Sequence, residues 1–198
     1  MVSPLGPTAV GATGLAARGS ETFGAIISFG LCGGLDPTLE VGDLVIASEI
    51  VDPAGRRMAA DPALAERLGA AFPSSKLAAI AGSDTFLADP TEKQSLASAT
   101  GAAAVDAESH FAATEAARRG VPFTAVRAVS DSAARRLPRA ALVGLDVQGR
   151  LRLSRVAVAI ARRPWELPAL VRTAFEAESA FAALRAAIPA LRRALGAD

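Results

Sequence analysis

Val105-Asp106-Ala107-Glu108-Ser109, a helix-compatible run after it, and then Val126-Arg127-Ala128-Val129-Ser130-Asp131 decide how this chain is read. Ala102 to Val105 is small and apolar, the pattern of a short buried strand closing on Asp106. Phe111 to Arg119 suits a helix, and Gly120 and Pro122 stop it. Phe123 to Val129 is again apolar and partly β-branched, a second buried strand that delivers Ser130 and Asp131 at its carboxyl end. Strand, helix and strand of this size predict a βαβ unit, with parallel pairing and a right-handed crossover. Glu108 and Asp131 are then expected at one carboxyl edge of the sheet, where open α/β sheets bind ligands. Each acid also has a plainer explanation, Glu108 in the first turn of a helix and Asp131 as a cap. Two carboxylates at matching places in one unit are better explained as a site, because burying either alone is costly.

On the N-terminal side, Ala25-Ile26-Ile27-Ser28-Phe29 is the first convincing buried strand. It runs into Gly30-Leu31-Cys32-Gly33-Gly34, which reads as a glycine-rich turn whose backbone amides can approach a ligand closely. The glycine spacing is neither a dinucleotide fingerprint nor a phosphate-binding P-loop. Gly42-Asp43 predicts a tight turn into a strand over Leu44 to Val51. Asp61-Pro62 starts a helix over Ala63 to Phe72, and Lys76 to Gly82 is a strand. Asp89-Pro90, with Glu92 in the first turn, starts the next helix in the same way. Beyond the central unit, 135–138 reads as loop, and Leu151 to Arg163 and Trp165 to Leu195 read as helices, with Pro189 expected to kink or interrupt the second. Residues 1–24 are a poorly defined start in which Thr8-Ala9-Val10 is at most a weak strand, and 151–198 is helical and basic. The expectation is one α/β domain over 1–198, with a mixed, mostly parallel central sheet flanked by helices.

Composition narrows the function classes. Of 198 residues 51% are hydrophobic, much of that alanine, and no apolar run approaches the ~20 residues of a spanning helix. The start lacks the basic and long apolar stretches of a secretory signal, so a cytoplasmic protein is expected. A single Cys excludes an internal disulfide and suits a reducing compartment. With one His and one Cys no zinc site is expected. A net charge of +1, no Tyr and one Trp give no reason to expect nucleic acid. The charge is uneven, with nine Arg against four acids from Arg150 onward. A solvated face of a packed helix is the plainer account of that tail, and peripheral contact with an anionic membrane is the other.

Four ordered motifs carry a resemblance: Ile26 to Val45 with its Phe29-Gly30-Leu31-Cys32-Gly33-Gly34 core, Gly82-Ser83-Asp84-Thr85-Phe86, Ala104-Val105-Asp106-Ala107-Glu108-Ser109, and Gly120 to Asp131. The chain resembles the purine nucleoside phosphorylase and nucleosidase superfamily, which includes the methylthioadenosine/S-adenosylhomocysteine nucleosidases. Glu108-Ser109-His110, Leu137 to Gly144 and Arg162 to Leu170 extend the likeness to the hopanoid-associated phosphorylases, thought to remove adenine from adenosylhopane.

The resemblance implies a nucleoside phosphorylase-like fold and cleavage of an N-glycosidic bond, by a phosphorolytic glycosyltransferase or a hydrolase of nucleoside metabolism. It implies Asp131 as the general acid to N7 of the purine, oriented by Ser130, with Arg127 holding the loop. It implies Glu108 as acceptor of the ribose 2′ and 3′ hydroxyls, Phe86 stacked on the base, and the backbone of Leu87 along the purine edge. Ala107 takes the place of a Met under the ribose, so that wall is thinner. Gly30 and Gly33 would offer backbone donors to an anion. Leu31 replaces a frequent Ser, and Ser28 sits where some phosphorylases place a phosphate-binding Arg. No cofactor is implied beyond inorganic phosphate as a co-substrate, and a homo-oligomer is expected by analogy. The family's first strand and its Gly-plus-acid turn are not found in 1–24. A methylthioadenosine/S-adenosylhomocysteine nucleosidase, or a nucleoside-binding protein without turnover, are the alternatives. His110 reads as structural or subunit-facing, and Cys32 as small packing.

Overall fold

Nine consecutive residues from Ile26 to Gly34 form the first strand, β1, at the heart of the sheet. The computed structural model describes residues 24–138, 141 and 153–196, the last segment as backbone alone up to 157. The expected weak strand at Thr8 to Val10 and the missing first strand fall outside those residues. After β1 come β2 (Leu44–Val51), β3 (Arg57–Ala59), helix α1 (Pro62–Ala71), β4 (Lys76–Gly82), α2 (Pro90–Thr100), β5 (Ala104–Asp106), α3 (Ser109–Arg119) and β6 (Phe123–Asp131). Helix α4 (Leu153–Arg162), a 3-10 turn (Pro164–Glu166) and α5 (Leu167–Leu195) complete the described chain.

Local chemistry sets most boundaries as expected. Asp61 caps α1 by accepting from the Leu64 amide at 2.8 Å, with Pro62 in the first turn. Asp89 and Glu92 form a capping box on α2. Gly120 ends α3 in the left-handed region at φ 65°, where a side chain would be strained. The edge strand β3 lacks a clear alternation and has no sequence signature. Helix α5 continues through Pro189, so the proline does not interrupt it.

The strand order is β3-β2-β4-β5-β1-β6, and β2 also pairs with β6, so five of the strands close on themselves. The sheet is mixed: β1–β6, β2–β4 and β4–β5 are parallel, while β1–β5, β2–β3 and β2–β6 are antiparallel. Two expectations are corrected here. The run Gly30 to Gly34 is strand, not turn, because it is paired with β6 on one side and β5 on the other. Nor do β5 and β6 pair: β1 lies between them and runs antiparallel to β5. A short strand leaving a helix can cross to a non-neighbouring place when another strand supplies the ladder between, which the sequence of the unit alone does not show.

Helices cover the sheet. Val126, Ile46 and Phe29 pack against Leu68 of α1, Phe72 just after it and Ala187 of α5, and Ala128 packs against Ala180 and Leu184. On the other face, Ala125, Val129, Val45 and Ala104 meet Ala112, Ala113 and Ala116 of α3. Small alanines let that helix lie close to the strands.

Candidate active site

Gly33 is the hinge point of the site. It pairs with Val105 of β5 on one side and with Asp131 of β6 on the other. A Cβ there would lie 3.4 Å from Val105 Cγ1 and 3.3 Å from Asp131 Oδ2, so glycine is what lets both strands' ends approach. Asp131 thus lies directly beside Gly33, while Glu108 follows β5 at the start of α3, with β1 between the two strands.

On the β5 flank, Asp106 ends its strand and caps α3, accepting from the amides of Glu108 at 3.1 Å and Ser109 at 2.8 Å. Glu108, the residue before the helix, makes no cap bond with its side chain. Arg127, 3% exposed, reaches from β6 to this flank. Its guanidinium pairs with the Asp106 carboxylate, donates to Ser28 Oγ at 2.6 Å and Ser109 Oγ at 3.0 Å, and lies 3.5 Å from Glu108 Oε2. The expected role of Arg127, holding the Asp131 loop, is corrected: its side chain serves the Asp106–Glu108 side. Gly30 is glycine because a Cβ would overlap that guanidinium. The amide of Gly30 belongs to a strand that is laddered to Arg127, which is a different setting from the free turn expected.

Burial pushes the Glu108 carboxyl above its ordinary range, Arg127 opposes the push and Asp106 adds to it. The Glu108 side chain keeps 43% of its surface in water, which damps the effect.

On the β6 flank, the Asp131 carboxylate is buried and forms an ion pair with Lys93 of α2. Ser130 Oγ donates to Asp131 Oδ1 at 2.8 Å and lies 3.1 Å from the Cys32 carbonyl. No backbone amide is capped by Asp131 in these contacts; its partners are side chains. Neither Lys93 nor Asp106 stood out in the sequence. Asp106 follows a strand as any turn acid does, and Lys93 reads as one more exposed helix lysine.

Between the flanks sits Cys32. Burial raises its thiol pKa most, and Asp106 and Asp131 raise it further against Arg127 and Lys93. That is the environment of an inert packing thiol.

The remaining expected residues divide. Phe86 is 62% exposed on the loop after β4, and Leu87 beside it packs into a cluster with Leu35, Ala102, Val105 and Leu96. Ala107 is half-buried between Asp106 and Glu108. Leu31 is placed elsewhere, on the opposite face of β1 against Ala128, Ala180 and Leu184, because strand residues alternate. His110 is buried against Gly82, meets the Phe111 ring at a 39° tilt with 4.0 Å between centroids, and lies 3.6 Å from Asp84. A groove of about 860 Å³ between Val41 and α5 and one of about 460 Å³ between Asp61 and α3 are lined by neither Glu108 nor Asp131.

The family model of the phosphorylase superfamily matches residues 2–162. The chain belongs to the phosphorylase superfamily. Among solved structures it is similar to futalosine hydrolase of Helicobacter pylori, at 23% identity and a TM-score of 0.51 over 55% of this chain and 57% of that one. It is similar to Helicobacter pylori MTAN at 24% identity and a TM-score of 0.51, over 61% of each chain. The 5′-methylthioadenosine/S-adenosylhomocysteine nucleosidase of Helicobacter pylori, with butyl-thio-DADMe-Immucillin-A, gives 17% identity and a TM-score of 0.54 over 84% of this chain and 68% of that one. The chain thus spans 57–61% of the length of the first two. These likenesses establish the shared fold, an α/β domain with a mixed sheet flanked by helices. No curated protein matches the chain. Among the described residues, no helix is long and apolar enough to cross a membrane.

Proposed function

We propose that the chain cleaves the N-glycosidic bond of an adenosyl compound and releases adenine. The observation that supports this reading is that each acid has its own buried cation beside a strand next to β1, Lys93 on Asp131 at the end of β6 and Arg127 on Glu108 just after β5. Glu108 accepts the ribose 2′ and 3′ hydroxyls and favours positive charge at the anomeric carbon as the bond opens. Asp131 gives a proton or hydrogen bond to N7 of the departing purine, an assistance worth about 10²–10⁴ in rate. Exposed Phe86 stacks on the base, the Leu87 backbone borders it, and Ala107 leaves the ribose wall thin.

Adenosylhopane is the substrate favoured by the sequence likeness over Leu137 to Gly144 and Arg162 to Leu170. A methylthioadenosine/S-adenosylhomocysteine nucleosidase is the second reading, supported by the solved structures that share the fold. The reaction runs in the cytoplasm without a cofactor, taking water or inorganic phosphate as nucleophile. The protein works as a homo-oligomer, and the basic tail allows peripheral contact with a membrane.

Adenine release is measured from adenosine, methylthioadenosine, S-adenosylhomocysteine and adenosylhopane, with and without phosphate. Release from adenosylhopane above the others is expected, and a sugar product phosphorylated at C1 against one with a free anomeric hydroxyl identifies the nucleophile. Nucleosides that bind and stay intact would leave a binding protein; no binding and no release overturns the proposal.

A further inference from the structure

Lys93 is the most unusual residue of the fold. Its side chain is 1% exposed, and lysine is almost never buried to that degree unless paired. It enters from α2, pairs with the Asp131 carboxylate, and donates to the carbonyl of Ser132 at 2.7 Å with that of Arg135 at 3.4 Å. The same junction is already fastened without it. The Leu137 amide donates to the Ala88 carbonyl at 2.9 Å, Arg136 pairs with Asp89, and Arg135 pairs with Glu176 of α5 at 3.1 Å. A linkage of loop to helix needs no buried ammonium, since apolar side chains of like volume do that work without the cost of desolvating a charge. The charge is aimed at one carboxylate, and that carboxylate ends in the site.

We propose that Lys93 is the positioning residue of the reaction, acting through Asp131; this rests on the function proposed above. Asp131 takes one proton from solvent, passes it to N7 as the electron pair of the C1′–N9 bond withdraws into the purine, and is left a carboxylate. Lys93 holds one carboxylate oxygen, Oδ2, in a fixed place throughout that step. Ser130 fixes the other carboxylate oxygen, so the acid is held from both ends.

The test compares two substrates in one protein sample: methylthioadenosine, whose base leaves with a proton, and 4-nitrophenyl β-D-ribofuranoside, whose phenolate leaves without one. The ratio of the two rates is independent of how much enzyme is folded. Lys93→Gln keeps a donor to the two carbonyls and removes the charge. It is expected to lower the ratio about 10-fold or more, in kcat with KM nearly kept, and Lys93→Arg to restore most of it. Should Lys93→Gln fail to fold, Lys93→Met with Asp131→Asn leaves no lone buried charge, and its ratio is expected to equal that of Asp131→Asn alone. If the nitrophenyl riboside is not turned over, the split between kcat and KM on methylthioadenosine decides. Equal losses on both substrates, or a loss in KM alone, overturn the role of Lys93. A wild-type protein that releases no adenine from any adenosyl substrate overturns the proposed function instead.

Discussion

Gly30 and Arg127 share one space: the missing Cβ of Gly30 is where the Arg127 guanidinium lies on its way to Asp106 and Glu108. Gly30→Ala must push the guanidinium aside in a place where it is 3% exposed and bonded on several sides. A loss of about 1–3 kcal/mol is expected, read as a lower urea midpoint at constant slope. Full stability in the variant would mean that the guanidinium has somewhere else to go.

Arg127→Met leaves the Asp106 carboxylate, 1% exposed, without its cation. Breaking a buried pair from one side costs about 3–5 kcal/mol. Adding Asp106→Asn should recover part of that, because the lone charge is gone; a double-mutant cycle by denaturant unfolding measures the coupling.

Asp131→Asn is expected to cut adenine release by at least about 10²-fold, if the acid serves the leaving base. Near-normal turnover would rule the role out. Glu108→Ala should weaken binding and rate together, and should erase the preference for ribosides over their 2′-deoxy analogues. A preference that survives the substitution counts against the ribose role.

Away from the site, the Lys76 ammonium, helped by the Thr38 amide and hydroxyl, pulls the Asp36 carboxyl down to about 2. A folded-state value below the ordinary ~3.9 means that ionised Asp36 stabilises the fold above about pH 4 and that this contribution fades as pH falls toward 2. Both side chains are partly in solvent, so the effect is small, about 0.5 kcal/mol after screening. Asp36→Asn is expected to lower the melting temperature slightly at pH 7 and to match the wild type at pH 2. A difference that persists at pH 2 would point to a packing effect.

Cys32 is expected to resist alkylating reagents in the native protein and to react at once in denaturant. It is 3% exposed and its thiol is held protonated by burial and two carboxylates. Mass spectrometry with iodoacetamide checks this, and rapid native labelling would show that the sheet opens.

The elements were legible because their causes are local. The boundaries of β2 and β4, and both Asp-Pro helix starts, follow from caps and periodicity within a few residues. Asp131 could be picked out because it ends an apolar strand run, and Glu108 because it stands between such a run and a helix, where the resemblance also puts it. Gly30 to Gly34 misled, since a glycine-rich run reads as turn wherever the reason for glycine is another strand's side chain. At Gly30 that reason is Arg127, and at Gly33 it is Asp131.

By itself, then, the sequence determined an α/β chain with its helices, its main strands and two acids worth attention. Only the tertiary structure decided that β1 enters between β5 and β6, that β2 closes on β6, and which cation faces which acid. Lys93 meets Asp131 across 38 positions and Arg127 meets Ser28 across 99. Such pairings depend on how the strands are laid side by side, and no pattern confined to neighbouring residues encodes that.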